Sequence, residues 1–194
     1  MTLDTRTRMI HGTALLVGAR GAKSTSLRDL AREAGVPLGS TYHYFPEGKR
    51  QLVNEAVSAI GARIDHTIER AHQHGPDTAL DAFANGWRSV LESTDFHSGC
   101  PVLAVALEED PVLRETANRI FDRWQALLVK GFLEGGVPKS RAPRLARTVV
   151  AAIEGAVALC RAERSFEPLE DVLAELRVMF AEAGRGERAG VSSS

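Results

Sequence analysis

The chain has 194 residues, 44% of them hydrophobic and 25% charged, proportions ordinary for a globular protein and enough for one large or two small domains with a buried core. No apolar run approaches a membrane span and no signal-peptide pattern opens the chain, so residence in the cytoplasm is expected. The formal net charge of −1 hides an asymmetry: residues 1–50 carry eight Lys or Arg and four acids, which is +4 there and leaves −5 for the remainder, a distribution that suits a basic nucleic-acid-facing end on an acidic body.

Residues 4–20 read as a helix with Ile10, Ala14 and Val17 on one face. Arg6 and Arg8 near its start are in a position to reach a polyanion. The stretch TALLVGARGAKS superficially resembles a phosphate-binding loop, but Ala22 separates Gly21 from Lys23 and the first spacing is short, so no nucleotide site is expected.

From Ser26 to Phe45 the spacing predicts two short helices joined by a tight turn. Leu27, Leu30 and Ala31 recur at i, i+3, i+4, and Ser26 with Asp29 three residues later makes a reciprocal cap. Gly35 stands where the first helix must stop, because glycine tolerates the left-handed backbone of a helix end. Val36 returns to the core and Pro37 fixes the entry to the second helix. Leu38 to Tyr44 is too polar and aromatic for core; its small hydroxyls and phenols suit close approach to phosphates and base edges. The pair reads either as a helix–turn–helix or as an ordinary helical hairpin. Lys49 favours the former, since a cation at a helix N-terminus opposes the macrodipole and is better explained by an external anion such as a DNA phosphate.

After Phe45, Leu52, Ala56, Val57, Ile60, Ile64 and Ile68 keep helical spacing almost to His74, where Gly75-Pro76 breaks the run. A helix from Asp77 to about Ser93 follows, then a short apolar element over 97–108. Asp110-Pro111 reads as an N-cap with proline at the first helical position, opening a helix to Gly135-Gly136. Ser140 to Arg164 and a last helix from Pro168 complete the chain, and residues from Gly184 onward read as a disordered tail. The last two helices are apolar on more than one face and rich in Ala and Gly. Those faces are read either as wholly internal in a monomer or as covered by a second copy.

The segment from about Ile10 to Leu52 resembles the DNA-binding domain of the tetracycline-repressor (TetR) family of bacterial regulators. Ile10, Ala14, Gly21, Thr25, Leu27, Leu30-Ala31, Ala34-Gly35-Val36, Gly39, Tyr42, Phe45, Lys49 and Leu52 follow its pattern in order. Gly18 departs from it where a phenylalanine is usual, and Thr41 where an aliphatic residue is usual, both at the expense of the small domain's core. The Phe45–Lys49 spacing is one residue longer than the commonest form and resembles the branch that includes the lincomycin-resistance repressor.

The resemblance implies an all-α protein: a three-helix DNA-binding domain over 1–50, a larger helical ligand-binding and dimerisation domain over 51–183, and the tail. It implies a dimer formed through helices within residues 140–182 that binds duplex operator DNA. The residues expected at DNA are Thr25, Ser26, Arg28, Pro37, Leu38, Gly39, Ser40, Thr41, Tyr42, His43 and Lys49. Among them Lys49 and Tyr42 are assigned to phosphates, and Leu38, Thr41 and His43 to base edges.

Phe83, Trp87, Phe96, Phe121, Trp124 and Phe132 cluster in the middle of the larger domain, as core or as the wall of a small-molecule pocket, with Arg88, Glu108, Gln125 and Glu154 on or beside the same helices. Glu154, between Ile153 and Gly155 in an apolar helix, requires a partner or water, so it reads either as a structural hydrogen-bonding group or as a ligand contact. The expected ligand set is Phe83, Trp87, Phe96, Cys100, Phe121, Trp124 and Glu154. His66, His72 and His74 lack a carboxylate or cysteine at metal-ligand spacing, and Cys100 and Cys160 lack a CxxC spacing, so no metal, cofactor or disulfide is expected. The reading is a ligand-relieved repressor rather than an enzyme. Its alternatives are a regulator without an inducer and a helical small-molecule-binding or enzyme-like protein that no longer binds DNA.

Overall fold

The computed structural model of the chain describes residues 4–72 and 76–185, in which nine helices and no strand occur. They are α1 (Thr5–Arg20), α2 (Leu27–Glu33), α3 (Leu38–Tyr44), α4 (Lys49–His72), α5 (Pro76–Ser93), α6 (Pro101–Ala106), α7 (Pro111–Glu134), α8 (Ala142–Glu163) and α9 (Glu167–Arg185). The all-α expectation holds. The segment read as a tail lies, from residue 186, outside the described residues.

Local chemistry sets many of the ends. Asp4 caps α1 by accepting the Thr7 N–H at 3.1 Å. Asp110 caps α7, its carboxylate accepting from the Val112 and Leu113 amides at 2.9 and 3.3 Å. The last turn of α2 closes as a Schellman motif: Gly35 has φ +63°, the Val36 N–H donates to Ala31 O and the Gly35 N–H donates to Arg32 O.

By packing, the chain groups into two compact units, Met1–Arg63 with His97–Ile120, and Ile64–Phe96 with Phe121–Ser194. The expected boundary near residue 50 divides the chain by role; packing divides it differently, and both α4 and α7 contribute residues to each unit. The first unit is built on Met9, Leu30, Phe45 and Leu52, all with no exposed surface. Each buries about 1.5–3 kcal/mol of apolar transfer free energy. In the second unit Leu91, Leu169, Leu173 and Leu176 are similarly buried.

Gly18 does something other than weaken the small core. A Cβ there would stand 2.2 Å from Gly99 O, too close for any side chain. The missing side chain lets the Gly99 N–H donate to Gly18 O at 3.0 Å, while the Ser98 hydroxyl donates to Leu15 O at 2.9 Å. The glycine thus fastens α1 to the strand of chain that enters α6.

Candidate functional site

The α2–turn–α3 segment is held from both ends. Ser26 Oγ accepts the Asp29 N–H at 3.2 Å and the Asp29 carboxylate accepts the Ser26 N–H at 3.0 Å, closing the capping box expected from the sequence. The Ser26 hydroxyl also donates to Asp29, at 2.6 Å. These bonds from Ser26, with Arg20 and Arg32 nearby, hold the Asp29 carboxyl down at about 2. At α3, Phe45 is buried and anchors the C-terminal end, leaving Gly39, Tyr42 and His43 exposed at i, i+3, i+4. Tyr42 is 58% exposed, and His43 meets the neighbouring Tyr44 edge-on at 4.9 Å. A Cβ on Gly39 would meet nothing within 4 Å, so no packing inside the protein requires glycine there. Pro37, Ser26 and Arg28 are exposed on the same segment, and Leu38 and Ser40 are half-buried.

Three residues of the expected DNA set turn inward or are engaged internally. Thr41 has no exposed surface, and its hydroxyl has no hydrogen-bond partner among the described residues. It fills the interior position that an aliphatic side chain would fill, and it does not stand on the face that could read base edges. Thr25 is 2% exposed and its hydroxyl donates to Gly21 O at 2.7 Å. Lys49 Nζ donates to both Ala22 O and Thr25 O at 2.9 Å, which corrects the argument that a cation at the start of α4 is better explained by an external anion. Two of its three N–H groups clasp the α1–α2 turn. Glu108 also holds this turn, accepting the Lys23 N–H at 3.0 Å. Arg6 is committed to Glu55 and lies over the Phe45 ring at 5.5 Å.

The second unit encloses a cavity of about 310 Å³. Ile64 and Ile68 of α4, Phe83 of α5, Trp124 of α7 and Glu154 of α8 contribute to its wall, and α9 adds Phe180. Phe83, Trp124 and Glu154 were in the expected ligand set; Trp87, Phe96, Cys100 and Phe121 were too, and do not line it. Trp87 lies one turn beyond Phe83 and is buried. Phe96 packs on Phe166 at 4.9 Å beneath the Arg164 guanidinium. Cys100 is the N-cap of α6, in the other unit. Phe121 meets Trp124 edge-on from outside the wall. Phe132 and Phe180 do line it, and their mutual contact at 5.1 Å joins α7 to α9 across nearly fifty residues of sequence.

Of the polar neighbours, Arg88 is paired with Glu170 at 3.1 Å and Gln125 with Arg147 at 3.2 Å. Glu154, 7% exposed, is the polar group buried in the wall. Asp65 lies beside Ile64 but not in the wall; burial pushes its carboxyl up and Arg123 draws it back.

On the side of α8 away from the cavity, Ala151, Gly155, Ala158, Leu159 and Ala162 are exposed, with Leu159 at 50%; on α9 Val178 is 51% exposed. Both cysteines are buried and unbridged, and burial raises the Cys160 thiol. Among the described residues no cluster of His, Cys, Asp and Glu is placed to hold a metal, and no helix is long and apolar enough to cross a membrane.

Comparison with known proteins places this geometry. Residues 10–56 match the family profile of bacterial regulatory proteins, tetR family, and residues 76–175 match the transcriptional regulator LmrA/YxaF-like C-terminal domain. An uncharacterized HTH-type transcriptional regulator of Mycobacterium tuberculosis is 39% identical over 181 residues, 89% of this chain and 92% of that one. The HTH-type transcriptional repressor DhaR of a Mycobacterium species is 26% identical over 79% of this chain and 81% of its own. A crystal structure of a TetR transcriptional regulator from Chloroflexus aurantiacus superposes with a TM-score of 0.74 at 29% identity, covering 91% of this chain and 94% of that one. The capped helix–turn–helix and the helical C-terminal part are therefore those of a DNA-binding transcriptional regulator rather than an enzyme, and the chain belongs to the TetR family, with a C-terminal domain of the LmrA/YxaF-like type.

Proposed function

We propose that the protein is a dimeric repressor of a near-palindromic operator, released by a small, largely apolar molecule in the second unit's cavity. The observation that carries the DNA reading is the outward face of α3. Gly39 offers bare backbone, Tyr42 a phenol and His43 an imidazole, on a helix whose angle is fixed by the Schellman turn and by Phe45. Arg28, Tyr42 and Ser40 hold phosphates, while His43 and Leu38 reach base edges. Thr25, Thr41 and Lys49 support this face from within rather than contact bases. A repressor role is favoured because a relative that aligns over most of both chains, DhaR, is named a repressor. In this reading the protein works in the cytoplasm, where the chromosome lies.

Two copies joined through the exposed faces of α8 and α9 present two α3 helices to one side of a duplex, with half-sites about 10 bp apart or a multiple of that. The cavity communicates with the DNA face through continuous helix. Ile64 and Ile68 stand in its wall, and Lys49, at the first turn of the same α4, grips the turn that leads into α2. A ligand that tilts α4 moves α2 and α3 bodily, and a change of a few ångströms in the spacing of two recognition helices prevents both from docking. Linkage requires that operator DNA weaken ligand binding by the same factor, with about 1–3 kcal/mol of coupling for a useful switch.

Fluorescence anisotropy with a labelled inverted-repeat duplex tests the reading. Affinity should fall steeply as salt rises, because neutralised phosphates release counterions, and a ligand that perturbs tryptophan fluorescence should loosen the complex. Equal affinity for every duplex at physiological salt would remove the DNA reading. A tight ligand at Trp124 that leaves operator affinity unchanged would remove the switch.

A further inference from the structure

Of the eight Lys and Arg residues within 1–50, Arg6, Arg20, Lys23, Arg32 and Lys49 each meet an acid or a carbonyl of the protein. Arg28 and Arg50 are exposed, where water serves their donors. Arg8 is in neither position. It is half-buried, its Nε is shut off from solvent with no acceptor, and among the described residues its guanidinium has no ion pair. We infer that Arg8 is a backbone-phosphate contact of the DNA interface, made from α1 rather than from the helix–turn–helix itself. This extends the reading of α3 as the DNA-facing helix and rests on it.

Packing sets where the side chain lies. Gly12, one turn further along α1, lets α2 come close: a Cβ there would stand 3.2 Å from Glu33 Cγ and 3.4 Å from the Ala34 amide nitrogen. Arg8 is thereby laid against the turn between α2 and α3, where a Cβ on Gly35 would lie 3.9 Å from Arg8 Nη1. Gly35 is exposed, and so are Pro37 and Gly39 at the entry to α3. Glu33, the acid nearest this turn in sequence, forms no ion pair with Arg8. A guanidinium has only donors and keeps its charge at any physiological pH. Half removed from water, it is a group that a folded protein ordinarily answers with a carboxylate or a carbonyl. A phosphodiester answers it from outside: its charge is opposite, and its two free oxygens match the planar fork. Because the stem is packed on the protein, little side-chain freedom is lost when the phosphate arrives. A contact from this scaffold helix reads no base; it fixes the angle at which α3 meets the groove.

The test is anisotropy on the full-length protein across a salt series, with a duplex selected from random sequence by the wild type and with a random duplex. Arg8→Gln should weaken both about tenfold or more. It should also flatten the fall of log affinity with log salt by about 0.9 for each copy bound. Arg8→Lys, which keeps the charge without the fork, should keep the wild-type salt slope and recover only part of the affinity. In chemical denaturation Arg8→Gln should be at least as stable as the wild type, since no internal partner is lost. Undiminished affinity of Arg8→Gln overturns the inference and leaves the DNA reading standing on the wild-type curve. A loss confined to the selected duplex overturns it too, and so does a loss with the salt slope unchanged, which would make Arg8 a structural residue. If the wild type binds both duplexes alike at physiological salt, the DNA reading fails and the inference with it. Arg8→Met, which keeps the apolar stem, gives the same neutral comparison should Arg8→Gln not fold.

Discussion

The outward faces of α3 and α8 differ in kind. α3 exposes Gly39, Tyr42 and His43, a surface of bare backbone, hydroxyl and imidazole, whereas α8, beyond the exposed Arg144, Arg147 and Thr148 of its first turns, exposes Ala151, Gly155, Ala158, Leu159 and Ala162, a run of small or apolar residues. The first suits a hydrated, polyanionic partner that is read by hydrogen bonds. The second suits a dry protein face that lets backbones approach closely. Both faces are exposed in one chain, so exposure alone does not mark a partner; the chemistry of what is exposed selects it.

The strongest way to break this contrast is to put a charge on the apolar face. Leu159→Asp would bury an unpaired carboxylate between two copies, which a dry interface does not tolerate. Simultaneous engagement of two half-sites raises affinity about 10²–10⁴-fold over one, so the variant should sediment as a monomer and lose at least about a hundredfold in operator binding. A dimer of undiminished affinity would place the interface elsewhere. On α3, Tyr42→Phe removes one hydroxyl from the polar face. If that hydroxyl donates to a phosphate, operator and random duplexes should both lose about 1.5–3 kcal/mol by anisotropy, and a loss confined to the operator would reassign Tyr42 to base reading.

Two neighbouring substitutions sharpen the inside–outside distinction within α3 itself. Gly39→Ala meets open space and removes a helical glycine, so the folded protein should gain about 0.5–1 kcal/mol in chemical denaturation. Operator affinity should nevertheless drop, because the methyl stands where the DNA backbone approaches; unimpaired binding would show that nothing comes close there. Thr41→Val, one residue beyond Ser40 but inside, removes a buried hydroxyl that has no partner among the described residues. It should stabilise the fold by about 1 kcal/mol with operator preference intact, and a changed preference would mean that Thr41 reads bases after all.

The smallest effect concerns acid. Ser26 holds the Asp29 carboxyl at about 2 against 3.8 when unperturbed. A depressed carboxylate stabilises the fold fully above its unfolded value and loses that contribution as pH falls through the folded one. The advantage of the wild type over Asp29→Asn should therefore be constant above about pH 4 and shrink between pH 4 and 2. An advantage independent of pH across that window would mean that the carboxylate charge plays no part in the cap.

Much of the first unit was readable because its signals are local. The Ser26–Asp29 box, the glycine stop at Gly35 and the Asp110 cap each act across two to five residues, and local hydrogen bonds are written in local sequence. What escaped was assembled at a distance. Lys49 finds its acceptors 27 and 24 residues back, at Ala22 and Thr25, and the use of Gly18 depends on Gly99. Thr41 looked like a reader because threonine is polar; only the burial of its position on α3 shows that it acts as an aliphatic residue there. The cavity drew on α4, α5, α7, α8 and α9, so choosing the aromatic residues of its wall required knowing which turn of each helix faces inward. Phe83 does and Trp87, one turn on, does not line it, a difference that periodicity cannot express because both lie on one face.

The central claim, that the outward face of α3 reads an operator as a two-fold pair, is tested most directly at His43. Duplex fragments selected from random sequence by the wild type and by His43→Ala should be compared. The wild type should recover an inverted repeat with half-sites about 10 bp apart or a multiple of that. His43→Ala should recover the same repeat with sequence preference relaxed at one position in each half-site, at about 1–3 kcal/mol per position. Recovery of the same repeat at the same affinity and with every preference intact would contradict the account, because the face proposed to read DNA would then not be reading it.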